Sequence, residues 1–352
     1  MWKINSSTIQ YTYRFTDKFV RDLLKWACEN KEIKSVAEIT ETNLTPRLRL
    51  LVEYGGFWKL REHMYKLATC KKIAAVRTTY LYFSKNYIKI LKGRIKSYPH
   101  IDKDTTDYIK PVFKYFYDNL IDNEFFWNTY NPSGKYIKKS GIRDLDTSHK
   151  TCPYCDRNHI IPSSANNIDH LLPQSDFPFL SIFGRNLVIA CTICNSKQVK
   201  GDDWALPILH PFYDNMEDIL FFKFDNDKKE IRVCSKRKIQ YERVTRQRGE
   251  NFIRVLKLNK IYKKMWFMVE NERRAIFESI ADMDIFDAME NITNSSELVS
   301  LIKKGARKRA WMLNDFVQEE TYTKLKSDYC SDFISQRNPI LIEWLNDEYR
   351  KR

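Results

Sequence analysis

The sequence predicts a mostly α-helical protein with a small α+β insert at its centre. Apolar residues recur at helical spacing through the first ~130 residues and again from about Glu242 to the end. Between these regions, short apolar runs typical of strands accompany two CxxC pairs. The length of 352 residues favours about two domains, and the 43% hydrophobic content permits a buried core and argues against general disorder.

Residues 1–130 are predicted to form a helical N-terminal region. Thr16 is suited to cap a first helix, and Thr45-Pro46 begins a second helix that ends at Gly55-Gly56. A third helix is predicted to carry Pro111 in its first turn. Its apolar face contains Tyr108, Val112, Phe113, Phe116, Tyr117 and Leu120. These aromatic residues favour the core of a helical bundle, with stacking on nucleic-acid bases as the alternative.

The remaining regions follow from changes in composition. Residues 131–151 are polar and basic and are predicted to form a linker, and residues 152–215 contain the motifs described below. Residues 216–352 are predicted to begin with a β-hairpin, with strands near 220–224 and 231–234, and to continue as helix. One long helical stretch is expected to carry Leu256, Tyr262, Trp266, Val269 and Arg273.

The net charge predicts a polyanionic partner. Lysines and arginines number 60 against 45 acidic residues, which gives +15 at pH 7 and favours nucleic acid or an anionic membrane surface. The chain has no apolar run of ~18 residues and no apolar N-terminal segment, so we expect a cytoplasmic protein without membrane spans. It also lacks the GxGxxG and GxxxxGK[ST] motifs of dinucleotide-binding and P-loop proteins.

Two CxxC pairs predict a structural zinc site. They are separated by 35 residues and consist of Cys152, Cys155, Cys191 and Cys194. Two such pairs supply the four thiolates of a closed tetrahedral Zn²⁺ site. The string CPYC also matches a glutaredoxin redox motif, but it follows a polar segment here and leaves the second pair unexplained. Nearby His159 is interpreted as a loop residue, with a substitute zinc ligand as the alternative.

The segment between the cysteine pairs combines residues suited to phosphodiester hydrolysis. Ile168–Leu172 and Leu187–Ala190 are predicted strands, and Asn195 is a good N-cap for a helix after the second. Asp169 and Asn195 offer hard oxygen ligands for Mg²⁺ or Mn²⁺, and His170 can accept a proton from water. Because neighbouring strand residues point to opposite faces, a shared site for Asp169 and His170 requires a bend.

These residues resemble the HNH, or ββα-metal, endonuclease family over residues 152–201. The motif looks like the HNH module of RNA-guided CRISPR nucleases, with Asp169-His170 and Pro173, Asn186 before an apolar strand, and Asn195 after the last cysteine. The four cysteines look like those of the zinc-bound HNH subfamily. The resemblance implies that His170 is the general base and that Asp169 and Asn195 bind one Mg²⁺ or Mn²⁺ ion. It implies that Asn186 holds the loop that positions His170.

The resemblance has two departures and one extension. The third letter of the motif is Asn195 instead of His, as in other members of the family. The lysine-glycine that usually follows the last Asn closely comes later here, as Lys200-Gly201, which leaves Lys197 and Lys200 as alternative phosphate contacts. Leu256-Lys-Leu-Asn259 and the basic segment after it loosely resemble HNH partners of ATPases in anti-phage systems of the Septu type. The implied partners are therefore duplex DNA and an ATPase or other regulatory protein. A catalytically silent zinc module and an RNA-cleaving enzyme are the alternatives.

Basic clusters are further candidates for nucleic-acid binding. Lys236, Arg237 and Lys238 lie close to Arg243, Arg246 and Arg248. Two further clusters occupy 135–139 and 303–309. Phosphate contacts from such residues would make binding depend steeply on salt, and a solvated surface is the alternative.

Overall fold

A computed structural model of the protein describes residues 13–132, 134, 139, 150–161, 163–235, 243–281, 295–315 and 321–350. These residues belong to two compact units. The N-terminal unit is drawn from Ile4–Ser148 and Ile160–Tyr213, and the C-terminal unit is drawn from His149–His159 and Asp214–Arg352. The described residues are mostly helical, as the sequence predicted.

The N-terminal unit begins with helices whose apolar faces meet in an aromatic core. Its α-helices are α1 (Thr16–Glu29), α2 (Pro46–Glu53), α3 (Leu60–Ala68), α4 (Ile73–Leu91), α5 (Lys103–Tyr115) and α6 (Glu124–Tyr130). Phe19 on α1 lies at the centre, where its ring meets Phe116, Phe126 and Tyr130 edge-on. The edge-to-face packing of buried rings confirms that most of these aromatic residues form a core.

Two details of the helix ends differ from the prediction. Thr16 is the first residue of α1 instead of its cap, and its hydroxyl donates to the carbonyl oxygens of Tyr13, at 2.6 Å, and Ile182. Pro111 lies in the interior of α5, because this helix begins eight residues earlier at Lys103, directly after the N-cap residue Asp102. Beyond α5 the backbone widens to a π-helical turn at Phe116–Leu120.

Two antiparallel strands follow in the same unit. Strand β1 (Asn166–His170) pairs with β2 (Leu187–Cys191), with Asp169 opposite Val188 and His170 opposite Leu187. The first strand ends two residues before its predicted end at Leu172, because the side chain of Asn186 bonds both the N–H and the C=O of that residue, at 2.8 and 2.9 Å. The 16-residue loop between the strands is thus held to the end of β1.

The helix expected from Asn195 is absent from the described residues, and residues 192–202 form consecutive turns. The N–H of Cys194 bonds the Cys191 sulfur at 3.4 Å, and the Lys200 N–H bonds the Cys194 carbonyl at 3.3 Å. Gly201, in the left-handed region at φ +51°, closes the turns by donating to Ser196. The segment is thus held at both ends in a shape that differs from a helix.

The C-terminal unit combines a hairpin with a group of helices. The predicted hairpin is confirmed by β3 (Leu220–Asp225) and β4 (Glu230–Ser235). The helices are α7 (Met216–Ile219), α8 (Arg243–Val255), α9 (Leu258–Tyr262), α10 (Trp266–Ala281), α11 (Ser295–Asp315), α12 (Thr323–Ile334) and α13 (Asn338–Arg350). Phe222 and Phe224 face inwards from the hairpin, against the rings of Tyr262 and Tyr329 at 4.7 and 5.1 Å.

The single long helix expected after residue 242 is divided into α8, α9 and α10. Lys257 adopts a left-handed backbone conformation (φ +49°), which ends α8 and redirects the chain. None of the helices in the described part of the chain combines the length and the apolar composition that crossing a bilayer requires.

Candidate functional site

The four cysteines of the CxxC pairs lie together. Their sulfur atoms are within 4.8 Å of one another, and all four residues are buried: Cys152, Cys155, Cys191 and Cys194. Four Zn–S bonds of ~2.3 Å in a tetrahedron place sulfur atoms ~3.8 Å apart, which this spacing accommodates with a small contraction. The donor set therefore fits a structural zinc ion, with no position left for a reacting water.

Each cysteine pair is shaped by a tight turn. After the first pair, Asp156 has a left-handed backbone (φ +55°) and its N–H bonds the Cys152 carbonyl at 2.8 Å. Burial raises the pKa of Asp156, whose carboxylate accepts the N–H of Lys324 at 2.8 Å within the same unit. His159 is exposed and forms a β-bridge with Thr151, which favours the interpretation as a loop residue over that as a ligand.

His170 is the last residue of β1, and its imidazole is fixed from two sides. The ring nitrogen Nε2 lies 2.8 Å from the carbonyl oxygen of Ser181, in the loop between β1 and β2. A carbonyl oxygen only accepts, so Nε2 carries the proton and Nδ1 retains a lone pair. The ring of Tyr117 meets the imidazole edge-on, with centroids 4.7 Å apart.

The environment of His170 keeps its side chain neutral at pH 7. Burial lowers its pKa to about 4, and the nearby charge of Lys200 acts in the same direction. The bond to Ser181 and the charge of Asp169 oppose this shift but are outweighed. A neutral imidazole with Nδ1 unprotonated is the form that accepts a proton.

Asn186 connects the loop to the end of β1. It is completely buried, and its side-chain oxygen accepts the hydroxyl of Tyr87 and the N–H of Leu172, each at 2.8 Å. Its nitrogen donates to Leu172 at 2.9 Å and to Leu180 at 3.4 Å. The side chain therefore ties both ends of the segment that places the Ser181 carbonyl against His170.

Asp169 is paired with a lysine. The Nζ atom of Lys200 lies 2.9 Å from Asp169 Oδ1 and 2.6 Å from the carbonyl oxygen of His170, and both charged side chains are 1–2% exposed. Lys200 is thus a buried partner of the carboxylate and does not extend towards solvent. Asp169 and His170 direct their side chains to different neighbours, as expected for adjacent residues of a regular strand.

The other predicted site residues are distributed differently. Asn195 is half-buried, and its N–H bonds the Cys191 carbonyl at 3.1 Å, whereas Lys197 is exposed. Arg248 forms a buried ion pair with Asp214, so it does not belong to an exposed basic cluster. The predicted phosphate contacts Lys236, Arg237 and Lys238 lie outside the described residues.

Two residues of this site were not assigned to it from the sequence. Tyr117 belongs to the apolar pattern of a helix, and nothing in that pattern predicts its contact with His170. Ser181 acts through its backbone carbonyl, which carries no information about residue type.

Comparison with known proteins gives one partial match. Over 95 residues the chain is 33% identical to the Septu protein PtuB of Bacillus thuringiensis. The match covers 27% of this chain and 36% of that protein. No family model matches the chain, and no solved structure matches it significantly. The similarity to a Septu protein agrees with the weaker of the two resemblances in the sequence.

Proposed function

We propose that the protein is a metal-dependent HNH-type endonuclease that hydrolyses DNA and serves as an effector of anti-phage defence. The observation that carries the proposal is the state of His170, whose Nε2–H is fixed on a backbone carbonyl while its Nδ1 remains able to accept a proton. The buried carboxylate of Asp169 belongs to the preceding residue of the same strand, and a site shared with His170 requires the regular β1 strand to bend between the two residues. The partial similarity to the Septu protein PtuB supports the defence role.

Asp169 and Asn195 would hold the catalytic Mg²⁺ or Mn²⁺ ion. Their carboxylate and amide oxygens are the donors that these hard cations prefer. The Lys200 ammonium already lies 2.9 Å from Asp169, and this position for a positive charge beside the carboxylate supports the proposal. When bound, the ion would stabilise the negative charge that develops on the phosphate and on the leaving oxygen.

His170 would supply the proton transfer. Its Nδ1 accepts a proton from the attacking water while the water oxygen bonds to phosphorus and the bond from phosphorus to the 3′ oxygen breaks. The electron pair of the broken bond remains on the 3′ oxygen, which then takes up a proton from solvent water, and His170 returns its own proton to solvent. Asn186 and the Ser181 carbonyl keep the imidazole in position during this step.

The proposed activity is tested with zinc-loaded protein that has been dialysed free of other divalent ions. We expect cleavage of duplex DNA on addition of Mg²⁺ or Mn²⁺ and none without it, because zinc in a four-thiolate site has no open position. Single-stranded DNA and RNA are assayed in parallel, since preferential cleavage of RNA would replace DNA as the substrate. Absence of cleavage of all three, with and without a co-purifying partner, would favour the silent zinc module.

Replacing Lys200 by methionine tests the assignment of Asp169. Without added metal, we expect the free energy of unfolding to fall by about 3–5 kcal/mol, because the change removes the ion-pair partner of a buried carboxylate. Mg²⁺ should restore stability in this variant more than in the parent, since the competing ammonium is gone. Urea unfolding with and without Mg²⁺ measures both effects, and Lys197→Met is the exposed control. An equal response of parent and Lys200→Met to Mg²⁺ would contradict metal binding at Asp169.

A further inference from the structure

A groove in the C-terminal unit has the size of a ligand site. It lies between the β3–β4 hairpin and the helices α8 and α9, and its volume is about 840 Å³. Ligand-binding cavities are typically ~300–1,000 Å³. All of its lining residues belong to this unit, so the groove is independent of the site around His170.

The charge of the groove selects an anionic ligand. Its charged lining consists of Lys223, Arg246, Glu250, Arg254, Lys257 and Lys260. Glu250 is paired with Arg246 at 2.7 Å. Lys223, Arg254 and Lys260 are exposed and have no acidic partner among the residues that the structure describes. Three cations around one cavity, with its acidic group already neutralised, suit phosphate groups.

The apolar part of the lining lies next to these cations. Phe221 is half-buried and stands two residues before Lys223, so both side chains lie on the same face of β3. Ile253 of α8 and Cys234, the residue paired with Phe221 across the hairpin, complete this apolar surface. An aromatic ring beside lysine and arginine side chains is the combination that binds a base together with its phosphate.

The edge of the hairpin beside the groove is not free to bind a peptide as an additional β-strand. The N–H of Val233 on β4 already donates to the side-chain oxygen of Asn259 on α9, at 2.7 Å. An added peptide strand would need free backbone groups along this edge, and the N–H of Val233 is already occupied. Lys257, in its left-handed conformation, fixes the junction of α8 and α9 beside this bond.

We propose that this groove binds a nucleotide unit, with phosphate groups on Lys223, Arg254 and Lys260 and a base against Phe221. The unit is either a free nucleotide or part of a single strand of nucleic acid. The single-strand form rests on the proposed nuclease function, because it makes the groove a second contact with the substrate. The free-nucleotide form is independent of that function and would make the groove a ligand sensor.

The test measures binding by the full-length, zinc-loaded chain without Mg²⁺, so that cleavage plays no part. The probes are a dye-labelled 12-nucleotide DNA strand and a dye-labelled ATP, each followed by fluorescence anisotropy. We expect the double variant Lys223→Ala/Arg254→Ala to weaken binding of at least one probe tenfold or more. For the strand, the slope of log K against log salt should fall by about 1.4, for two lost phosphate contacts.

The matched control is Lys264→Ala/Arg274→Ala, which removes the same two charges from exposed positions outside the groove. We expect it to change binding less than threefold, and thermal melting verifies that both variants fold. Phe221→Leu should weaken binding of the normal strand and leave the binding of an abasic strand of equal length unchanged. This last comparison separates base stacking from charge.

Each outcome decides the proposal. Loss of ATP binding in the groove variant assigns a free nucleotide, and loss of strand binding alone assigns single-stranded nucleic acid. Three results would overturn the proposal. They are equal losses of binding in the groove and control variants, binding of a polyglutamate peptide as tight as that of the probes, and no binding of either probe. If the proposed nuclease activity is wrong, the protein will not cleave nucleic acid although its groove still binds the probe, so the two proposals can be distinguished.

Discussion

Replacement of His170 by alanine is expected to reduce DNA cleavage by about 10²–10⁴-fold, the usual contribution of a general base. The change removes the Nδ1 lone pair that accepts the proton of the attacking water. It also removes the bond to the Ser181 carbonyl, which is a small part of the packing around the loop. Initial rates of cleavage of a duplex substrate at saturating Mg²⁺ provide the measurement.

The control for this prediction is His159→Ala. His159 is exposed and forms an isolated β-bridge with Thr151, and its loss should leave the rate unchanged. Melting curves of both variants and binding of the duplex without Mg²⁺ should stay close to those of the parent. Cleavage by His170→Ala at the parental rate would show that another group accepts the proton, and the proposed catalytic role of His170 would be abandoned.

Replacement of Cys191 by serine is expected to abolish stoichiometric zinc binding and to lower stability by several kcal/mol. Structural zinc sites contribute ~10–16 kcal/mol of binding free energy in small domains, and loss of one thiolate forfeits much of it. Cys191 is also the last residue of β2, paired with Asn166, so the effect should reach the β1–β2 ladder. Elemental analysis and thermal melting measure the two effects.

Cys28→Ser is the matched control for the zinc site. Cys28 is half-buried and does not belong to the four-cysteine cluster, so this variant should retain about one zinc ion per chain and melt close to the parent. A parent protein that is stable and free of zinc would contradict the site. So would a Cys191→Ser variant that retains its zinc.

The hairpin shows how far local patterns determine structure. Its strands were predicted within a residue or two, because alternating apolar residues around a polar turn specify both the pairing and the face that is buried. The helix expected at Asn195 did not form, although Asn is a good cap. Bonds made by Cys194 and Lys200 outweigh this weak local preference.

The lysine side chains show most clearly what could not be predicted from the sequence. Lys200 and Lys197 looked equivalent as candidates for phosphate contact. The structure buries Lys200 against Asp169 and leaves Lys197 exposed. A buried charge requires a partner, and the identity of that partner depends on residues 31 positions apart being brought together by the fold.

The sequence by itself determined the helical class, the β-hairpin and the spacing of the cysteines, since periodicity and short motifs are local properties of the chain. Only the tertiary structure decided which nitrogen of His170 carries its proton, that Tyr117 packs against this ring, and that Asn186 holds the loop. These features depend on backbone carbonyls and on contacts between distant segments. No local pattern of residue types encodes them, because the interacting groups are far apart along the chain and meet only where the fold brings their segments together.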